Sequence, residues 1–118
     1  MKIEKTQVGP SRGLIPGQKE VLSLLAVYQK GSVVSRTIIH SKVGTVTIFA
    51  FDEGESLSEH TAPYDVLAHV LEGRAEITIS GKTSIVAQGE AIILPGGRPH
   101  MVRALSRFKM LLTMLRAT

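Results

Sequence analysis

Two histidines, His60 and His100, are the side chains of this sequence best equipped for chemistry. The first lies in GESLSEHTAPYDVLAHVLEG at 54–73, the second in GEAIILPGGRPHMVRA at 89–104. An imidazole titrates near neutrality, can act as a general base and is the commonest protein metal ligand. Residues two apart in a strand share a face, so His60 points with Ala62, and His100 with Val102 and Ala104. Where such faces line a largely aliphatic interior, two imidazoles need polar company. A small organic ligand, one weakly bound divalent transition metal, or a mutual or water-mediated hydrogen bond would each provide it.

Their neighbours extend the candidate site. Arg98, in Pro95-Gly96-Gly97-Arg98-Pro99, either meets an anionic end of a ligand by charge and bidentate hydrogen bonding or points into solvent. Tyr64, in the loop after His60, is placed to close the rim. The candidate site residues are His60, Tyr64, Arg98 and His100, with His60 and His100 the two that could ligate a metal. His69 shares its parity with Leu67 and Leu71, away from Val66, and reads as a buried or interface histidine satisfied by a backbone carbonyl. His40 reads as a surface residue, and Asp65 as a turn residue that only a bulge would bring inward.

The elements that must position these residues are strands. Apolar or β-branched residues alternate or run on through 32–40, 44–51, 66–71, 75–80, 83–87, 91–94, 100–105 and 108–115. Strands so short, separated by Gly-containing turns, predict an antiparallel sandwich or barrel. Glu72-Gly73 and Ser80-Gly81 each offer a glycine for a tight connection, and 74–88 reads as a hairpin. Phe108, Met110, Leu112 and Met114 mark one apolar face of the last strand, with Leu111 and Leu115 on the other. A strand apolar on both faces is usually covered on both, which predicts a second subunit and a homodimer. Residues 1–31 read as an irregular arm carrying a short helix or strand around 21–27, disordered alone or laid on a partner, ahead of a domain at 32–118.

The two stretches around the histidines resemble the paired motifs of the cupin superfamily. Gly54, His60 and Gly73 match G-x5-H-x-H-x3-E-x6-G, with Ala62 and Val66 at the second His and the Glu positions. Gly89, Pro95, Gly97 and His100 match G-x5-P-x-G-x2-H-x3-N, with Ala104 at the Asn position. The resemblance implies an all-β fold, the double-stranded β-helix or jelly-roll barrel. It also implies dimers, and a metal site of three imidazoles and a carboxylate, of which two ligands are replaced here. The function expected is binding of a small organic molecule inside the barrel. The alternative is a metal-dependent enzyme of oxygenase or isomerase type using His60, His100 and solvent or substrate, or a metal-free one with a histidine base.

Composition narrows the field. With 118 residues, 43% hydrophobic, the chain supports one core, and 4% aromatics predict that this core is aliphatic. The absence of cysteine excludes disulfides and thiolate metal sites. A net charge of +4 is dispersed, without aromatics interleaved among the basic residues, which argues against nucleic acid. VLSLLAV at 21–27 is far short of the roughly 20 residues of a membrane span. A cytoplasmic protein without membrane or nucleic-acid partners is expected.

Overall fold

The computed structural model describes residues 6–8 and 14–116, which form ten strands in two sheets. In chain order they are β1 Thr6–Val8, β2 Val33–Ser41, β3 Gly44–Phe51, β4 Ser56–His60, β5 Val66–Glu72, β6 Arg74–Ile79, β7 Lys82–Ala87, β8 Ala91–Leu94, β9 His100–Ala104 and β10 Phe108–Leu115. One sheet runs β1-β2-β3-β10-β5-β8 and the other β4-β9-β6-β7. All pairings are antiparallel except β1 on β2. The all-β expectation holds, and no described helix is long and apolar enough to cross a membrane.

The period-two pattern decides which side chains meet between the sheets. Phe108, Met110 and Leu112 of β10 are buried there with Phe49 and Phe51 of β3, Val66, Ala68 and Val70 of β5, and Ala75 and Ile77 of β6. An aliphatic core was expected, yet all three phenylalanines of the chain gather at one end of it. Phe51 and Phe108 stack with centroids 4.4 Å apart, and Phe49 tilts against Phe51 at 6.1 Å. Low aromatic content says how many rings there are, not how they are distributed.

That phenylalanine end is also where most of the sheet-to-sheet crossings lie. The links β3–β4, β5–β6, β7–β8 and β9–β10 pass there, whereas β4–β5 and β8–β9 cross at the end that bears His60 and His100. Glu72-Gly73 therefore joins no hairpin, contrary to the sequence reading: β5 pairs with β10 and β8, and the chain turns at once into the opposite sheet. Gly73 takes φ 76°, and a Cβ there would run into the Arg107 carbonyl oxygen and the Phe108 side chain. Ser80-Gly81 does make the expected two-residue turn between β6 and β7, with φ 49° and 81°.

The outer face of the larger sheet is covered by the chain's own N-terminal segment. Leu22–Leu24 form a single 3₁₀ turn, so of the two alternatives read for 21–27 the short helix is the one present, in its tightest form. Leu14, Leu22, Leu25, Ala26 and Tyr28 pack on Val34, Ile38, Ile48, Ala50 and Leu111. Leu111 thus needs no second subunit to cover it, which removes the main premise for a dimer drawn from β10, while Leu115 is exposed. The segment is pinned where Tyr28 donates to Glu72 Oε2 at 2.8 Å and Lys109 donates to the Ser23 carbonyl. The Tyr28 ring lies under the Lys109 and Arg107 cations. Burial, and then the bond to Glu72, raise the Tyr28 pKa, so the phenol stays a donor. Arg107 pairs with Asp52, whose other oxygen accepts the Gly31 N–H at 2.7 Å.

Two glycine substitutions separate backbone conformation from packing. Gly81→Ala, with φ 81° and open space around it, should cost roughly 1–2 kcal/mol for the left-handed conformation alone. Gly73→Ala carries the same cost plus a clash with backbone, and should lower the urea midpoint several-fold more. Equal midpoints for the two variants would contradict this packing.

Candidate functional site

The site lies where the two remaining crossings run side by side. The 61–65 loop carries the chain from β4 to β5 and the 95–99 loop from β8 to β9. Gly97 donates to the Ala62 carbonyl at 2.7 Å, and Gly96 donates to Asp65 Oδ1 at 2.9 Å. Gly96 sits so close to Pro63 and Tyr64 that a Cβ would fall 2.9 Å from the Pro63 carbonyl oxygen. Asp65 is therefore a loop clasp. The β6–β7 turn joins the assembly through Ser80, which donates to the Pro99 carbonyl at 2.9 Å.

These loops bring His60 and His100 together across the β4–β9 pair, in register with each other. A bulge between Leu57 and His60 lets both residues face inward although they are three apart. His100 is fully buried and His60 half-buried, with ring centroids 4.3 Å apart at 72° and the two Nε2 atoms 3.0 Å apart. Ala62, Val66 and Val102 are buried in the same interior and offer no side-chain donor, whereas Ala104, at the other end of β9, is buried toward the phenylalanines.

Protonation follows from the partners. His60 Nδ1 lies 2.6 Å from the Ser58 carbonyl, an acceptor only, so this nitrogen carries the proton and Nε2 presents a lone pair. His100 faces competing demands. Its Nδ1 is 3.3 Å from the Arg98 carbonyl, and its Nε2 meets the His60 lone pair. A neutral His100 can donate to one of these, and the shorter contact to His60 prevails; only an imidazolium donates to both. Burial, and then the neighbouring His60, lower the His100 pKa and oppose that cation, against the smaller opposite pull of the Arg98 carbonyl.

The other sequence candidates are placed differently. Arg98 has an exposed side chain and touches His100 only through its carbonyl oxygen. Tyr64 is half-buried, with its backbone under Gly96. His69 is half-buried on the outer face of β5, opposite Leu111 and Ala91, and the carbonyl partner expected for it is not found among the described residues. His40 is exposed, but a bulge between Thr37 and Ile39 sets it opposite Thr45, which periodicity alone did not reveal. Lys82, not singled out in the sequence, continues the row that runs from His60 through His100 and Ile79.

Two facing sheets with an imidazole pair at one end define a β-sandwich with a polar site set into an apolar interior. The profile of the Cupin domain family matches residues 47–115, more than half of the chain, and the protein belongs to that family. It is similar to a conserved protein of unknown function from Streptococcus pyogenes, with 29% identity and TM-score 0.86 over 93% of this chain and 96% of that one. A cupin superfamily protein from Desulfitobacterium hafniense gives 26% identity and TM-score 0.84 over 92% of this chain and 100% of that one. An uncharacterised Streptomyces coelicolor protein is 32% identical over 62 residues, which span 52% of this chain and 59% of the relative.

The metal that the family implies is met only in part. Two ligands about 2.1 Å from an ion at a right angle stand about 3.0 Å apart, which matches the Nε2 spacing, and both Nδ1 atoms face carbonyls as metal-bound histidines require. Yet among the described residues no group of three or more His, Cys, Asp or Glu side chains could hold an ion. The donor set among the described residues does not make a complete site.

The depressed His100 pKa makes stability depend on pH. Above the unfolded value near 6.5 both states are neutral there and stability is full; as pH falls from about 6.5 toward the lower folded value, the unfolded chain gains the proton first and stability is lost. Thermal melts in EDTA should show this loss in the native protein and a flatter profile for His100→Phe. A native profile as flat as the variant's would contradict the assignment.

Proposed function

We propose that the two sheets enclose a jelly-roll pocket that binds a small organic molecule beside His60 and His100. The observation that carries this reading is the inward-facing imidazole pair, 3.0 Å apart, in an interior that includes Ala62, Val66 and Val102. An apolar recess with a few convergent polar groups is the usual make-up of a small-molecule site. Ile79, Ile92 and Met114 are only partly buried against the core and extend that interior. A guest inserted at the pair meets the His60 Nε2 lone pair and the His100 Nε2–H, so either a donor or an acceptor group of the ligand finds a partner. Tyr64 and Arg98 complete the rim. The homodimer is part of the same proposal; with Leu111 covered, its support is the exposed apolar cluster of Ile39, Val43 and Leu115. Sedimentation velocity at micromolar concentration tests it.

The second reading, a metal-dependent enzyme in which solvent or substrate completes the coordination of His60 and His100, is favoured by one observation, the match of the Nε2 spacing to adjacent metal ligands.

Native mass spectrometry of untagged protein addresses both. A stoichiometric organic molecule without metal supports the binder, and a first-row metal the enzyme. Whatever is retained should be lost in His100→Ala and kept in His69→Ala, since only His100 faces inward; the reverse would sink the site. Ala62→His with Val66→Glu should raise Zn or Mn affinity by orders of magnitude in a calorimetric titration. Native affinity already equal to the double variant's would overturn the binder reading in favour of the metalloenzyme.

A further inference from the structure

A pocket beside His60 and His100 leaves the chemical class of its ligand open. Granting that proposed pocket, we infer that it takes an organic monocarboxylate, its apolar part along Ile79, Ile92 and Met114 and its carboxylate held at the rim by Lys82 and Arg98.

Lys82 is the residue that carries this. In the two-residue turn at Ser80-Gly81, the flanking Ile79 and Lys82 lie directly opposite and share a face. The next pair, Thr78 and Thr83, occupies the other face, and their hydroxyls meet there at 2.9 Å. Ile79 packs against the core between the sheets and is also in register with His100. Lys82 is therefore the fourth member of the inward row His60, His100, Ile79, Lys82, at the position where that row reaches solvent. A lysine at this point keeps its stem along apolar surface and its ammonium in the mouth.

Arg98 comes to the same rim by another route. The Ser80 N–H bond to the Pro99 carbonyl ties the Lys82 turn to the Arg98 loop. Among the described residues neither cation has an ion-pair or hydrogen-bond partner for its side chain. The acids close by in the chain do not neutralise them. Asp65 is engaged by the Gly96 N–H, and Glu59 is exposed in the β4 bulge. The ion pair between Arg107 and Asp52 lies at the far end. Two uncommitted cations above an apolar recess attract a molecule with one anionic end and one apolar end, and the planar guanidinium suits a carboxylate.

The test titrates hexanoate and the nearly isosteric, uncharged hexanamide into the native protein at low salt, following the imidazole resonances of His60 and His100 by NMR. Hexanoate should bind at least about tenfold more tightly than hexanamide, as a charge-assisted contact requires. K82Q combined with R98Q should bring that ratio to about one, whereas K82R should keep it. Equal binding of the two compounds by the native protein, or a ratio untouched in the double variant, would overturn the carboxylate assignment and leave the pocket standing. If neither compound moves the imidazoles, the pocket itself falls, and this inference with it.

Discussion

The pairing of the two loops that cross between the sheets is the constraint on which the site depends. Gly97 on Ala62 and Gly96 on Asp65 join a loop leaving the smaller sheet to a loop entering it. His60 ends the strand before one loop and His100 begins the strand after the other, so the bonds that align the loops also align the imidazoles. The close approach explains why Gly96 cannot carry a side chain. It explains, too, why prolines are tolerated at 95 and 99, where no ladder runs and no N–H is needed.

The two ends of the sandwich have different work. Four crossings, the stacked Phe51 and Phe108, and the Arg107–Asp52 pair close one end, and the Tyr28–Glu72 bond fixes the N-terminal segment over the same region. The other end has two crossings and the turns at 41–44 and 80–81, and its inward residues are only partly buried at Ile79 and Met114. Packing at the first end therefore leaves the second free to hold a polar pair. This arrangement suits a site held by elements anchored elsewhere.

How much of this could be read in the sequence depended on whether a residue obeyed simple periodicity. The inward faces of β9 and β10 were legible from alternation, because His100, Val102 and Ala104 pair regularly with β6, and Phe108, Met110 and Leu112 with β3, the extra residues falling on the partner strands β4 and β5. The motif spacing was legible because its four glycines, Gly54, Gly73, Gly89 and Gly97, all take positive φ, between 76° and 83°. His40 is exposed, as read, but the Leu57–His60 step was not legible, since a bulge adds a residue without any mark in the sequence. Gly73 looked like a hairpin glycine because local chemistry is the same whether the chain returns to its own sheet or crosses to the other. The cover over Leu111 was missed because an irregular segment has no period to announce which side it buries. Lys82 was missed because a lysine beside a tight turn is ordinarily just solvated.

The replacements at 62, 66 and 104 alter the electrostatics as well as the donor count. With a carboxylate at 66, a buried imidazolium at 100 would have had a counter-charge, and burial would have opposed it less. Val66 removes that compensation, so burial acts on His100 unopposed by a nearby acid, and the pair is left to share a single proton along its 3.0 Å axis. In the proposed pocket, a guest that donates to the pair, or one that brings its own negative charge, would supply what Val66 does not. The replaced ligands and the uncommitted cations thus bear on one property, the polarity left at this end of the sandwich, which the proposed guest would complete.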